Sequence, residues 1–136
     1  MGRTRDALNE LYDGIGDIAV RDRMFSDDAR FVGPGGQILS NAEHRAMGQG
    51  VRTAFPDLRI EVDHALEGDG EIYVEGRIIG THAGAFQMPQ GELPATGKKA
   101  EVRFAEYLRY NGSQFTEYRL YPDMPQMMAQ LGLMQA

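Results

Sequence analysis

The sequence predicts an α+β fold in which about three N-terminal helices and a short C-terminal helix pack on a curved antiparallel β-sheet. Two observations predict it. Apolar residues recur at helical spacing up to Pro56, and from Leu58 onward the period switches to two. A third observation fixes how the last strands connect. Asn111-Gly112 lies between two alternating segments and marks a two-residue hairpin turn, because both residues tolerate positive φ. Helices closing one end of a curved sheet leave a cavity between them. No linker, repeat or low-complexity stretch interrupts the pattern, so residues 1–136 read as a single domain.

The elements follow in order. Ala7, Leu8, Leu11, Tyr12 and Ile15 form a helical stripe after Thr4, the expected N-cap, and Gly14 and Gly16 close the segment. Asp17 caps a short second helix burying Ile18, Met24 and Phe25. Ala29 to Val32 reads as a short strand ended by Gly33-Pro34-Gly35-Gly36. Asn41 caps a third helix with Met47, Val51, Ala54 and Phe55 on one side, and Pro56 stops it. Leu58, Ile60, Val62, His64 and Leu66 then alternate with Arg59, Glu61 and Asp63, and Gly68-Asp69-Gly70 turns the chain. Ile72, Val74, Ile78 and His82 share the next apolar face, interrupted by Gly76 and Gly80, where a bend or bulge is expected. A loop rich in Gly and Pro spans Gly84 to Gly97. Strands Glu101–Tyr110 and Phe115–Tyr121 complete the meander, and Met124, Met127, Met128, Leu131 and Met134 line a final amphipathic helix.

Bulk properties exclude several function classes. The formal charge of −6 opposes a phosphate-binding surface, and Lys98-Lys99 is the only adjacent basic pair of lysines, so no nucleic-acid partner is expected. The chain has no cysteine, which removes disulfides, thiolate metal sites and a cysteine nucleophile. Its three histidines are well separated and form no His-x-His or His-Glu-x-x-His motif, so no metal is expected. Met1 to Asp6 lacks the apolar core of a secretory signal, and no segment approaches the ~20 apolar residues that span a bilayer. The expected location is the cytoplasm, without membrane attachment.

The chemistry points to carboxylates. In the Glu101–Tyr110 segment, Val102, Phe104, Leu108 and Tyr110 share a face with Glu106, its only charge, while Arg103, Tyr107 and Arg109 face the other way. A two-residue turn at Asn111-Gly112 pairs Tyr110 with Ser113, Leu108 with Phe115, and Glu106 with Glu117. Two opposed carboxylates in a poorly hydrated place cannot both ionise cheaply, so one holds a proton near neutral pH and can act as a general acid or base. The alternative is an ion network in which Arg119, diagonal to both, neutralises them. His82 and His64 lie on apolar strand faces as pocket candidates, although a lone histidine there more often makes a structural hydrogen bond; His44, in a helix, reads as surface. Tyr73, Glu75 and Arg77 form an outward row that fits a dimer contact. The methionine stripe suits packing, a pocket mouth or a dimer seam.

An ordered set of short segments carries a resemblance. Phe55-Pro56-Asp57-Leu58, Gly80-Thr81-His82-Ala83-Gly84-Ala85-Phe86, Pro94-Ala95-Thr96-Gly97-Lys98, Arg109-Tyr110-Asn111-Gly112, Glu117 through Asp123, and Gln130-Leu131-Gly132 occur in that order. From Phe55 onward the chain thereby resembles the SnoaL-like polyketide cyclase family, within the nuclear transport factor 2-like superfamily of cone-shaped domains. The resemblance implies a cone-shaped sheet, a deep apolar pocket and a homodimer. It also implies kinship with cofactor-free cyclases that close a polyketide ring by an aldol step with a pocket carboxylate. The wider superfamily includes ketosteroid isomerases, epoxide hydrolases, dehydratases and binding domains.

Residue by residue, the resemblance places Glu106 where relatives often carry a pocket Asp or His, and Tyr12 where the isomerases keep a pocket tyrosine. Asp123 resembles the aspartate ending the last strand, and Asp123 and Tyr121 are both candidates for the cyclase acid/base position. Gly33 or Pro34 falls where the isomerase base would stand, and Arg119 replaces a common Trp.

The leading expectation is a pocket for a small apolar or polyketide-like carbonyl compound. Glu106 or Glu117, with Asp123, would move a proton there, Tyr12, His82, Arg119, Tyr121 or His64 would line the pocket, and no cofactor is needed. A ligand-binding domain without chemistry uses the same pocket. A third reading is an epoxide hydrolase or dehydratase, in which Glu106, Arg119 and Glu117 imitate the Asp-Arg-Asp set of hydrolase relatives, in a different strand order and with longer acids.

Overall fold

The computed structural model describes residues 2–88 and 91–133. Helix α1 (Arg3–Asp13) buries Ala7, Leu8 and Leu11. Its cap is Gly2 and not Thr4, which is buried within the first turn. Asp17 caps α2 (Ile18–Met24) as expected, accepting from the Ala19 and Val20 amides at 3.0 and 3.3 Å. Strand β1 (Phe25–Val32) begins earlier than the sequence suggests, because Phe25 has extended dihedrals and opens the strand instead of closing the helix. A single 3₁₀ turn at Pro34–Gly36 and the two-residue β2 (Ile38–Leu39) lead to α3 (Asn41–Ala54). Ser40, one residue before the expected cap, closes a capping box with Glu43.

The sheet strands that follow are β3 (Arg59–Gly68) and β4 (Glu71–Thr81), with a small separate hairpin of β5 (Phe86–Met88) and β6 (Gly91–Leu93). Then come β7 (Lys99–Tyr110), β8 (Phe115–Pro122) and α4 (Met124–Gln130). The main sheet has six strands in the order β2-β1-β8-β7-β4-β3. All its pairs are antiparallel except β1 with β8. The curved sheet wraps α1, α2 and α3 on one face, which is the α+β cone expected. Met134 lies outside the described residues, as do Pro89 and Gln90 of the Gly- and Pro-rich loop. Among the described residues, no helix is long and apolar enough to cross a membrane.

Two register features decide which side chains reach the concave face. The first is in β3, where pairing slips between Val62 and His64. Ile60 and Val62 oppose Ile78 and Gly76, whereas His64 and Leu66 oppose Glu75 and Tyr73 on the outer face. The bulge thus lies in β3, opposite the glycine of β4 and not in β4 itself, whose pairing with β7 is continuous. The second is the β7–β8 hairpin. Asn111 Oδ1 accepts from the Ser113 and Gln114 amides, and the Asn111 amide donates to the Gln114 carbonyl, so the loop is longer than two residues. Tyr110 pairs with Phe115 and, after a further shift, Arg109 with Glu117 and Glu106 with Leu120. An odd slip sends every affected side chain to the opposite face.

The buried core gathers Leu8, Leu11, Phe25, Phe31, Ile72, Leu108 and Phe115 under α1 and α2, and Phe55, Leu58, Val102, Met127 and Leu131 under α4. A cavity lies between the sheet and α3.

Candidate active site

The cavity has a volume of about 220 Å³ and is walled mainly by Met47, Ile60, Ile78, Phe104, Leu120 and Met127. Its polar residues come from five different elements: half-buried Tyr12 from α1, and buried Arg21 from α2, His44 from α3, Glu106 from β7 and Tyr118 from β8. Alternation along β7 puts Glu106 on the concave face between Phe104 and Leu108, as the sequence predicts. It is the one buried carboxyl among the described residues. Burial drives its pKa from 4.5 up to about 7, and hydrogen bonds from the Tyr12 and Tyr118 hydroxyls act the other way. The Tyr12 hydroxyl donates to Glu106 Oε1 at 2.7 Å. Burial, then the nearby carboxylate, raises both phenols well above their ordinary value, so they remain donors.

A second polar group abuts the first. His44 is stacked on Phe31 with ring centroids 4.1 Å apart, and meets Tyr118 edge-on at 4.5 Å. Arg21 Nε donates to His44 Nδ1 at 3.1 Å, while its other nitrogens bond Asp22 and both oxygens of Asn41. Burial and the adjacent guanidinium lower the His44 pKa to about 3. The expectation that His44 lies on the surface is therefore overturned. The signal was present: His44, Met47 and Val51 share helical spacing, which places the imidazole on the buried side of α3. Arg21 stands in the same relation to Ile18, and Tyr118 alternates with Leu120 on β8; neither was singled out, because a charged or aromatic residue alone says nothing of its face.

Other expected site residues lie elsewhere. Glu117 does not face Glu106; the one-residue register shift between Arg109 and Tyr110, next to the longer loop, turns it to the outer face, where Arg119 Nε bonds it at 2.5 Å and Arg109 Nε lies 3.9 Å away. Arg119 accordingly points away from the cavity, and the imitation of an Asp-Arg-Asp set dissolves. Tyr121 pairs with Ala105 on the same outer face and is 50% exposed. Asp123 is exposed and caps α4, accepting from the Gln126 amide at 3.1 Å. The β3 bulge turns His64 outward and exposes it. His82 is fully buried, one layer behind the wall: its ring packs on Phe55, and its Nδ1 accepts from the Thr96 amide at 3.3 Å. Of the sequence-predicted set, only Glu106 and Tyr12 meet in the cavity. Among the described residues, no three His, Cys, Asp or Glu side chains converge on a metal position.

Comparison with known proteins agrees with this architecture. The family model described as SnoaL-like polyketide cyclase matches residues 3–131. No curated protein matches the chain. Among solved structures, AclR from Streptomyces galilaeus, described as a candidate hydroxylase, superposes with a TM-score of 0.85 at 20% identity, over 100% of this chain and 89% of that one. IdmH from Streptomyces antibioticus, described as a candidate polyketide cyclase, gives 0.79 at 22% identity over 94% and 97%. A SnoaL-like cyclase candidate from Jannaschia sp. CCS1 gives 0.81 at 17% identity over 98% and 94%. At these identities the likeness carries the cone-shaped fold and not a reaction.

Proposed function

The chain belongs to the SnoaL-like polyketide cyclase family, and from that premise we propose that it is a cofactor-free acid–base catalyst acting on a small apolar carbonyl compound. The single observation that supports this reading is Glu106, a buried carboxyl in an apolar cavity with a pKa near 7. A base works best when its pKa lies near the working pH, since both protonation states are then populated.

In an aldol closure, Glu106 takes the proton from the carbon beside one carbonyl. The carbon so freed attacks a second carbonyl of the same molecule, forming the ring C–C bond. The oxygen left on that second carbon recovers the proton from Glu106. Substrate and product are isomers, so nothing else is consumed. Tyr12 holds the carboxyl in place through its 2.7 Å hydrogen bond, and the apolar walls keep bulk water from competing for the proton.

The first half of that cycle is testable without the natural substrate. Deuterium exchange beside the carbonyl of a bicyclic ketone such as 2-tetralone, followed by proton NMR in D₂O, should be accelerated by the wild type over buffer. Glu106→Gln should lose about a hundredfold or more. Exchange untouched by that substitution, or absent with the wild type, would overturn the proposal.

A second reading, a binding domain without turnover, is favoured by the mainly apolar character of the walls; it predicts ketone binding with no exchange at all. The outer face supports a homodimer in either case, since Leu66 and Tyr73 are 77% and 54% exposed there. Sedimentation of the wild type against Tyr73→Glu tests it: a dimer converted to monomer is expected, and a wild-type monomer rejects it.

A further inference from the structure

Resting on the acid–base reading, we infer that His44 is the group that receives the substrate's carbonyl oxygen, as a neutral imidazole presenting Nε2–H to the cavity. The argument begins with Arg21. A guanidinium has five N–H donors and no acceptor, so the 3.1 Å contact from Arg21 Nε obliges His44 Nδ1 to accept. Nδ1 then carries a lone pair, and the single proton of a neutral ring sits on Nε2.

Neither partner is free to turn. Arg21 is anchored by Asp22 and by the carbonyl and side-chain oxygens of Asn41, and its guanidinium lies over the Phe25 and Phe31 rings. The imidazole lies flat on Phe31, at 19° between planes, with the edges of Phe25 and Tyr118 against it. The same guanidinium charge, added to burial, opposes a second proton on the ring.

The remaining nitrogen has no assigned partner. Among the described residues, Nε2 of His44 makes no hydrogen bond, yet it is not one of the two enclosed, unpartnered side-chain atoms, Ser26 Oγ and His82 Nε2. His44 lines the cavity, and we take Nε2, the nitrogen left over by Arg21, as the atom that faces it. Tyr118 touches both centres, meeting the His44 ring and interacting with Glu106. A donor and a base are thus set on adjoining parts of one wall, the arrangement that an enolate requires: oxygen on the donor, reacting carbon over the base.

A neutral donor defines the ligand class. The substrate is an uncharged, enolisable ketone within an apolar skeleton, since the wall facing its oxygen is built of aromatic rings and already holds the Arg21 charge. A neutral phenol such as 2-naphthol imitates the enol of such a ketone.

Two measurements test this. In protein labelled with ¹⁵N-histidine, two-bond ¹H–¹⁵N correlations should show His44 as one neutral Nε2–H tautomer from pH 5.5 to 8, with the Nε2 resonance moving when 2-naphthol is added. An Nδ1–H tautomer, or a ring that titrates near the ordinary imidazole value, would overturn the inference on the wild type alone. Binding of 2-naphthol should weaken about tenfold in His44→Phe and stay within about threefold in Asp123→Asn, a substitution outside the cavity. Equal affinity in wild type and His44→Phe would reject the donor role. These readouts do not depend on exchange, so a failure of the Glu106 base leaves them standing and is recognised separately.

Discussion

The Tyr12 hydroxyl donates to the Glu106 carboxyl at 2.7 Å across 94 residues of chain, joining the first helix to the centre of the sheet. The bond has two consequences. It fixes the orientation of the acid in the cavity, and it favours the ionised form that burial disfavours. The pKa of about 7 is the balance of the two effects, with desolvation the larger.

Removing the phenol should shift that balance. In Tyr12→Phe the desolvation remains and one donor is gone, so the Glu106 pKa should rise above about 7. A hydrogen bond to a charged group is worth about 1.5–3 kcal/mol net, which corresponds to roughly one to two pH units. The lower limb of the pH–exchange profile should move upward by that amount, together with the carboxyl ¹³C titration of Glu106. An unshifted titration would show that the hydrogen bond does not tune the acid.

Stability should carry a signature of two buried groups acting in opposite senses. The folded-state pKa of Glu106 is raised from 4.5 to about 7, so its stabilising protonation is fully present below 4.5 and lost as pH rises through 7. That of His44 is lowered from 6.5 to about 3, so protons bind the unfolded chain and stability is lost as pH falls below 6.5. Between 4.5 and 6.5 the two slopes, each about 1.4 kcal/mol per pH unit, cancel. Glu106→Gln removes one of them. Urea midpoints of the variant should therefore fall more steeply than those of the wild type as pH is lowered from 6.5 to 5. Parallel profiles for the two proteins would contradict this account.

The sequence carried the helices, the switch to period two and the side of β7 that bears Glu106, because each is set by spacing within one segment. The family resemblance from Phe55 onward was also legible, and the family match bears it out. What could not be read depended on partners. Asn111-Gly112 alone places Glu117 across from Glu106, but Asn111 closes a longer loop with its side chain and a one-residue shift beside it reverses the face. His64 followed perfect alternation until a bulge, invisible without β4, reversed it. The parallel pairing of β1 with β8 joins segments far apart in sequence, and it is part of what sets Tyr118 beside Phe31 and His44.

The relocated carboxylates should behave as structural residues. Glu117→Gln weakens the contacts with Arg119 and Arg109 on the outer face, where such pairs contribute at most about 1 kcal/mol. Asp123→Ala removes the cap of α4 and should cost about 1 kcal/mol, with Asp123→Asn restoring most of it. Ketone exchange in all three variants should match the wild type within about twofold, well short of the factors that loss of a general base produces. A drop comparable to that of Glu106→Gln would return either residue to the chemistry.

Gly76 tests the curvature that makes the cavity. It sits opposite Val62, next to the β3 bulge, and a Cβ there would lie 2.3 Å from the Glu61 carbonyl oxygen and 3.2 Å from the Phe104 ring. The nearer atom is backbone and cannot swing aside, so alanine must displace β3 or flatten the bulge. Overpacking of this kind costs about 1–3 kcal/mol, seen as a lowered urea midpoint. Because Phe104 and Ile60 wall the cavity on the same side, the displacement should also weaken 2-naphthol binding. Gly50→Ala serves as the control: a Cβ on that α3 residue meets nothing within 4 Å, and alanine favours a helix over glycine by roughly 1 kcal/mol. Stabilisation by Gly50→Ala alongside destabilisation by Gly76→Ala is the expected pair. Equal tolerance at both positions would mean that the close approach of β3 to β4 does not shape the cavity.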